Sequence, residues 1–188
     1  MNAWELPTSL NVSGVVFEIR SDFRAILDIL KYFRDPEYNE EEKWLICLDI
    51  LYVDFDRMSE SLYPEAMKQA VAFIDMTDDI PEDNRQKPIV MDWEQDAQLI
   101  IPAVNRVIGH EIRLDKYMHW WTFLGAYMEI GDCSYSQIIS IRTKQAKGKK
   151  LEKWEQEFVK ENKALITIKK KLSAEEEEEE RRLREKFG

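Results

Sequence analysis

The sequence predicts a mainly α-helical protein: a compact helical domain of about six to seven helices, led by a small β-hairpin and followed by a charged tail that is extended or helical. Three observations carry that expectation. Apolar residues recur at three- and four-residue spacing through most of the chain. Capping residues stand ahead of most of these stretches, and only the first 20 residues carry short β-prone runs. With 188 residues, 44% of them hydrophobic, the chain has enough apolar side chains for one domain and an appendage.

Leu10, Val12, Val15, Phe17 and Ile19 fall in two runs broken by Ser13-Gly14, which predicts a hairpin within residues 1–20. Ser21 is placed to cap a helix carrying Phe23, Ile26, Leu27 and Leu30, which ends near Asp35-Pro36. Asn39 with Glu40, Glu41 and Glu42 starts a second helix, because a capping side chain and first-turn carboxylates both complement a helix N-terminus. Its apolar positions are Trp44, Leu45, Leu48, Leu51, Tyr52 and Phe55. Pro64 suits the first turn of a third, with Ala66, Met67, Ala70, Phe73 and Ile74 as its stripe. Residues 75–91 have little to bury and read as an acidic loop. Asp92 and Gln95 form a capping-box pair for a helix running to Gly109 with Pro102 inside it. Helices from about Asp115 to Ile130, from Ser134 to near Gly148, and over 151–165 follow, the last with Leu151, Trp154, Phe158 and Leu165 on one stripe. Residues 1–165 are thus expected to form one domain. From Ile166 to Gly188 too few apolar residues remain to hold a core position, and this tail is expected to be dispensable for folding. Within it Ser173 and Glu176 match a capping box and Glu175 to Glu180 precede Arg181, Arg182, Arg184 and Lys186.

Charge is unevenly spread. The net formal charge is −10, divided as −14 over residues 1–141, +7 over 142–171 and −3 over the last 17 residues. An acidic body repels phosphate backbones, so no nucleic-acid partner is expected. No apolar run approaches the roughly 18 residues that span a bilayer, and no basic region followed by an apolar stretch opens the chain, so neither membrane insertion nor export is expected. Cys47 and Cys133 stand far apart without a CxxC spacing, which fits thiols in a reducing compartment.

Catalytic and cofactor motifs fail on inspection, and no enzyme activity, metal or cofactor is expected. His110-Glu111 opens a metalloprotease pattern whose second His is replaced by Leu114. The run Asp75, Thr77, Asp79 alternates as a calcium loop does, but Ile80 and Gln86 occupy the positions that need Gly and Glu. The glycines are scattered and no phosphate-binding loop follows a strand. Cys47 lies on an apolar stripe and reads as core. The stretch from Tyr117 to Met128 is the most distinctive. On a helix Trp120, Phe123, Leu124, Tyr127 and Met128 share one face, so Trp120, Phe123, Leu124 and Tyr127 are expected in the core. Trp121 projects about 100 degrees away, and either fills a flank or meets a partner. Trp154, Phe158 and the lysines Lys169, Lys170 and Lys171 complete the candidate partner-binding set.

Asp92-Trp93-Glu94-Gln95-Asp96 with Leu99-Ile100, then Leu114-Asp115, then His119-Trp120-Trp121-Phe123, give this chain a likeness to known proteins. Gln137-Ile138-Ile139, Ile141-Arg142 and the Lys/Glu-rich helix around Trp154 extend it. Together they resemble the gene-product-fifteen family of tailed bacteriophages, encoded in the tail-morphogenesis module. The match is good over about residues 92–165 and looser before them, and the Glu175 to Lys186 tail departs from the pattern. The resemblance implies a tail assembly chaperone of siphophage type, acting in the host cytoplasm. Its implied partners are the tape measure protein, the tail tube protein and further copies of itself. The alternative it leaves open is a structural tail completion or connector subunit retained in the virion.

Overall fold

Ser13 and Gly14 both adopt positive φ, 53° and 89°, the combination that a two-residue primed turn demands and that matches the twist of paired strands. They join β1 (Ser9–Val12) to β2 (Val15–Glu18) in antiparallel register, with Val12 opposite Val15 and Ser9 opposite Glu18. The predicted hairpin is therefore present. The computed structural model describes residues 4–77, 88–169 and 171–187, and among them the fold is mainly helical, as expected.

Two compact units divide the chain: residues 1–79 with 170–188, and residues 80–169. The sequence reading has one domain over 1–165 with a separate tail, whereas this division groups residues 170–188 with residues 1–79.

In the first unit, α1 (Phe23–Phe33), α2 (Glu40–Leu51) and α3 (Tyr63–Ile74) pack in sequence, and α3 closes on β1. Asp22, not Ser21, caps α1 by accepting the Arg24 N–H, while Ser21 is buried. Ile29 rather than Leu30 points into the core. At α2 the predicted Asn39 cap is present as one half of a capping box: Asn39 Oδ1 accepts the Glu42 N–H at 3.0 Å and Glu42 returns a carboxylate to the Asn39 N–H at 2.8 Å. The other end of α2 is satisfied by Arg20, whose Nη1 donates to the carbonyls of Asp49, Ile50 and Tyr52. Backbone bonds from Arg20 N–H to Leu51 and from Val53 N–H to the Glu18 carbonyl tie the hairpin to the same place. Tyr52 is fully buried and donates its hydroxyl to the Ala66 carbonyl at 2.9 Å. Cys47 is buried as expected, and burial pushes its thiol up to about 12. The final helix, α9 (Ala174–Phe187), belongs to this unit. Its predicted Ser173–Glu176 capping box is present, and Lys171 Nζ lies 3.4 Å from Asp35.

In the second unit, α4 (Ala97–Ile108) packs on α5 (Trp120–Met128) and α6 (Ser134–Ala146). The short α8 (Lys163–Ile166) contacts both α6 and α7 (Lys153–Glu161). Helix starts shift from the sequence expectation for local reasons. Asp92 accepts the N–H groups of Glu94 and Gln95 in a turn, which delays α4 to Ala97. His119 caps α5 through Nδ1, which accepts the Trp121 N–H at 3.0 Å, so that helix begins at Trp120 rather than Asp115. Cys133 and Ser136 form the capping box of α6 in place of Ser134 and Gln137. Ile166, assigned to the tail by sequence, is 6% exposed in a cluster with Ile138 and Ile141. One well-placed isoleucine suffices there because the partners are already assembled on α6. The acidic residues 78–87 of the predicted loop lie outside the described residues.

Replacing Asn39 with Ala removes one of the two reciprocal bonds that start α2. The expected loss is about 1 kcal/mol, read as a lower urea midpoint of the full chain by circular dichroism; an unchanged midpoint would mean that the cap does not stabilise the helix.

Candidate interaction surface

Arg142 follows Ile138 and Ile141 on the buried stripe of α6, and a guanidinium there needs partners for every N–H. All five are used. Nη1 and Nη2 make a two-point pair with Asp96 Oδ2 and Oδ1 at 2.7 and 2.9 Å. The remaining donors go to the carbonyls of Ile166 at 3.0 Å, Val90 at 3.1 Å and Leu165. The two side chains are 4% and 2% exposed, and Asp96 Oδ2 also accepts the Asp92 N–H. Beside them the Gln95 amide donates to the Thr167 carbonyl at 2.7 Å and accepts the Lys169 N–H at 2.9 Å, which clasps the segment leaving α8. Sequence reasoning missed this pair. The signal was an Arg three and four residues beyond Ile139 and Ile138, on a stripe otherwise apolar.

An aromatic layer lies in the same unit. The Trp93 ring centroid is 6.2 Å from Trp120, 6.1 Å from Phe123 and 4.8 Å from Tyr127, and the Tyr127 and Tyr135 hydroxyls meet at 2.7 Å. Trp120 is 2% exposed and Phe123 is buried with it, whereas Leu124 and Tyr127 are half-buried at the margin. Met128, expected on this face, is exposed. His119 is buried, and because its Nδ1 accepts a hydrogen bond, the neutral ring carries its proton on Nε2.

The candidate partner-binding residues are not all equivalent. Trp121 is half-buried, edge-on to His119 at 6.0 Å. Phe158 is half-buried against Ile138, Ile141 and Ile166, so it belongs to the core margin. Trp154 is 52% exposed, and Leu165 is exposed as well. The expected stripe of α7 is thus rotated by one residue: Leu151, Phe158 and Val159 face the core, and Glu155, 2% exposed, sits between them. Its burial is compensated. Lys144 Nζ lies 2.7 Å from Glu155 Oε1, the Glu152 N–H donates to Oε2, and the lysine beside it holds this carboxyl below its usual range. Lys169 has an exposed side chain, Lys171 is paired with Asp35, and Lys170 lies outside the described residues. Among the described residues no cluster suited to a metal ion is found, and no helix is long and apolar enough to cross a membrane.

Fold and site together define a mainly helical protein with an N-terminal hairpin, a core tied by a buried ion pair, and a lysine-rich corner bearing an exposed Trp. The profile of the family described as Bacteriophage Gp15 protein matches residues 3–168, so the chain belongs to that family. Comparison with curated proteins and with solved structures gave no match.

Arg142→Met is expected to cost about 3–5 kcal/mol, since it leaves the Asp96 carboxylate buried without its partner. Chemical denaturation of the full chain checks this, and a near-normal midpoint would show the pair to be unimportant. Lys144→Met is expected to move the Glu155 carboxyl upward, read by NMR titration. A folded-state value held below the unfolded one adds stability above the unfolded value, about pH 4.3, and loses it as pH falls through the folded value. The variant should therefore lose stability at neutral pH and keep it at strongly acid pH.

Proposed function

We propose that this bacteriophage protein is a tail assembly factor that binds the tape measure protein during tail morphogenesis in the host cytoplasm, by surface contact rather than catalysis. The observation that supports this reading best is Trp154. It stands half out of the protein on α7, with no aromatic partner among the described residues, while the carboxylate next to it is buried. Exposed indoles are the side chains most often found at the energetic centre of interfaces. A long helical protein awaiting assembly presents apolar stripes that aggregate, and a small helical partner covers them by laying a helix face along the stripe. Leu165, Trp121 and Lys169 supply further apolar and cationic contacts in the same unit. Tail tube subunits are the second partner in this reading.

Co-expression of the full chain with a helical tape measure fragment tests it. The fragment's soluble yield should rise, and Trp154→Ala should weaken the complex by about 2 kcal/mol, roughly thirtyfold, without lowering the protein's own stability. A fragment that aggregates regardless of an excess of this protein would sink the proposal. Mass spectrometry of purified virions separates the rival: an assembly factor is absent, whereas a completion or connector subunit is present in stoichiometric amount.

A further inference from the structure

Four lysines at the junction of α6 and α7 have no counter-charge among the described residues, in a chain that is acidic overall. Lys147, Lys149, Lys150 and Lys153 are all exposed, and none of their ammonium groups has a hydrogen-bond or ion-pair partner among the described residues. The acids nearest in sequence are committed elsewhere. Glu152 and Glu155 complete the capping box of α7, and Glu155 also holds Lys144. Glu157 lies one turn beyond Lys153 and makes no bond to it. Gly148, at φ 62°, turns the chain so that Lys147, Lys149 and Lys150 sit on one bend. Beside that bend is a shallow depression of about 360 Å³ lined by Lys150, Leu151, Glu152, Lys153 and Gln156, with Trp154 exposed next to it.

We propose that this corner is a docking surface for the acidic first half of α9 from a second copy of the chain. Charge complementarity selects that occupant. Glu175 to Glu180 are six consecutive acids, set against a region, 142–171, that carries +7. Glu178 and Glu179 are exposed, and Glu179 has no partner among the described residues. The other described acidic run, Glu40 to Glu42, is a poorer candidate because Glu42 is spent on the Asn39 cap and Glu40 on Lys43. Leu183, exposed one turn past the acids, adds an apolar group of the kind that an exposed Trp takes. A reciprocal exchange of the two helices closes a two-fold dimer, and a one-way contact builds rings or open chains. The inference stands chiefly on charge and does not depend on tape measure binding.

Sedimentation velocity of the full chain over a range of concentrations, at low and high salt, tests it. The unaltered protein should associate at low salt and dissociate as salt screens the contact. K147E/K149E/K150E/K153E should weaken association about tenfold or more, and E177Q/E178Q/E179Q/E180Q should do the same. Mixed together, the two variants should form a one-to-one heterodimer that grows no further, since one brings only the acidic helix and the other only the lysine corner. A protein that stays monomeric at every concentration and salt, as it would if α9 met its partner within one chain, overturns the proposal. So do variants that assemble like the parent, or a mixture that remains monomeric. The parent's own salt dependence decides the matter even where a variant folds poorly.

Discussion

The buried guanidinium of Arg142 is the group on which the second unit depends. Five donors go to one carboxylate and three carbonyls, drawn from the segment before α4, the turn that starts it and the end of α8. Removing a charge from water costs several kcal/mol, and the cost is recovered only where geometry satisfies every donor. Here it does. Lysine in the same place has three donors and no fork, and leaves carbonyls of Val90, Leu165 or Ile166 without partners. The usual argument that an apolar pair of equal volume replaces a buried ion pair at little cost therefore fails in this protein, because the pair also satisfies backbone groups that an apolar side chain strands.

Polar tethers of this kind recur wherever short segments have to be held. Arg20 closes the end of α2 by donating to two of its carbonyls and to that of Tyr52 just beyond it, and Gln95 clasps residues 167–169 with both ends of its amide. Helices of 9 to 14 residues, such as α7 and α9, are marginal alone in water. Directional bonds to backbone groups then fix where each segment lies, a task that non-directional apolar contact performs poorly.

Local signals in the sequence carried the elements, and long-range ones were illegible. The Ser13-Gly14 turn, the Asn39 cap and the Ser173–Glu176 box are set by neighbours three residues apart or fewer, so inspection finds them. The division into two compact units and the burial of Ile166 depend on which distant segments meet, which periodicity does not encode. Helix starts slipped where two candidate caps compete. Ser21 and Asp22 are adjacent, and the carboxylate takes the Arg24 N–H. In the candidate surface, Trp154 was legible as an unusual aromatic in a charged stretch, but its exposure was not, because Leu151, Trp154 and Phe158 fit an inward stripe equally well. The Arg142–Asp96 pair was within reach: a charged residue on an apolar stripe demands a buried partner.

The rotation of α7 bears most directly on what the surface is for. An inward Trp154 gains about 2–3 kcal/mol by hiding its ring, and an outward Glu155 avoids losing its hydration. The observed helix does the reverse, presenting the indole and burying the carboxylate. That arrangement holds only because Lys144 and the Glu152 N–H both reach Glu155. The inward face of the segment is filled instead by Leu151, Phe158 and Val159, which pack against Ile138, Ile141 and Ile166. Departures from local preference that need dedicated compensation are characteristic of functional sites. Asp96, Arg142 and Glu155, and the imidazole of His119, are all occupied in holding backbone. The outward indole of Trp154 and the exposed lysines around it, by contrast, are not spent on holding the fold, and this is what supports the proposal of a contact surface at this corner.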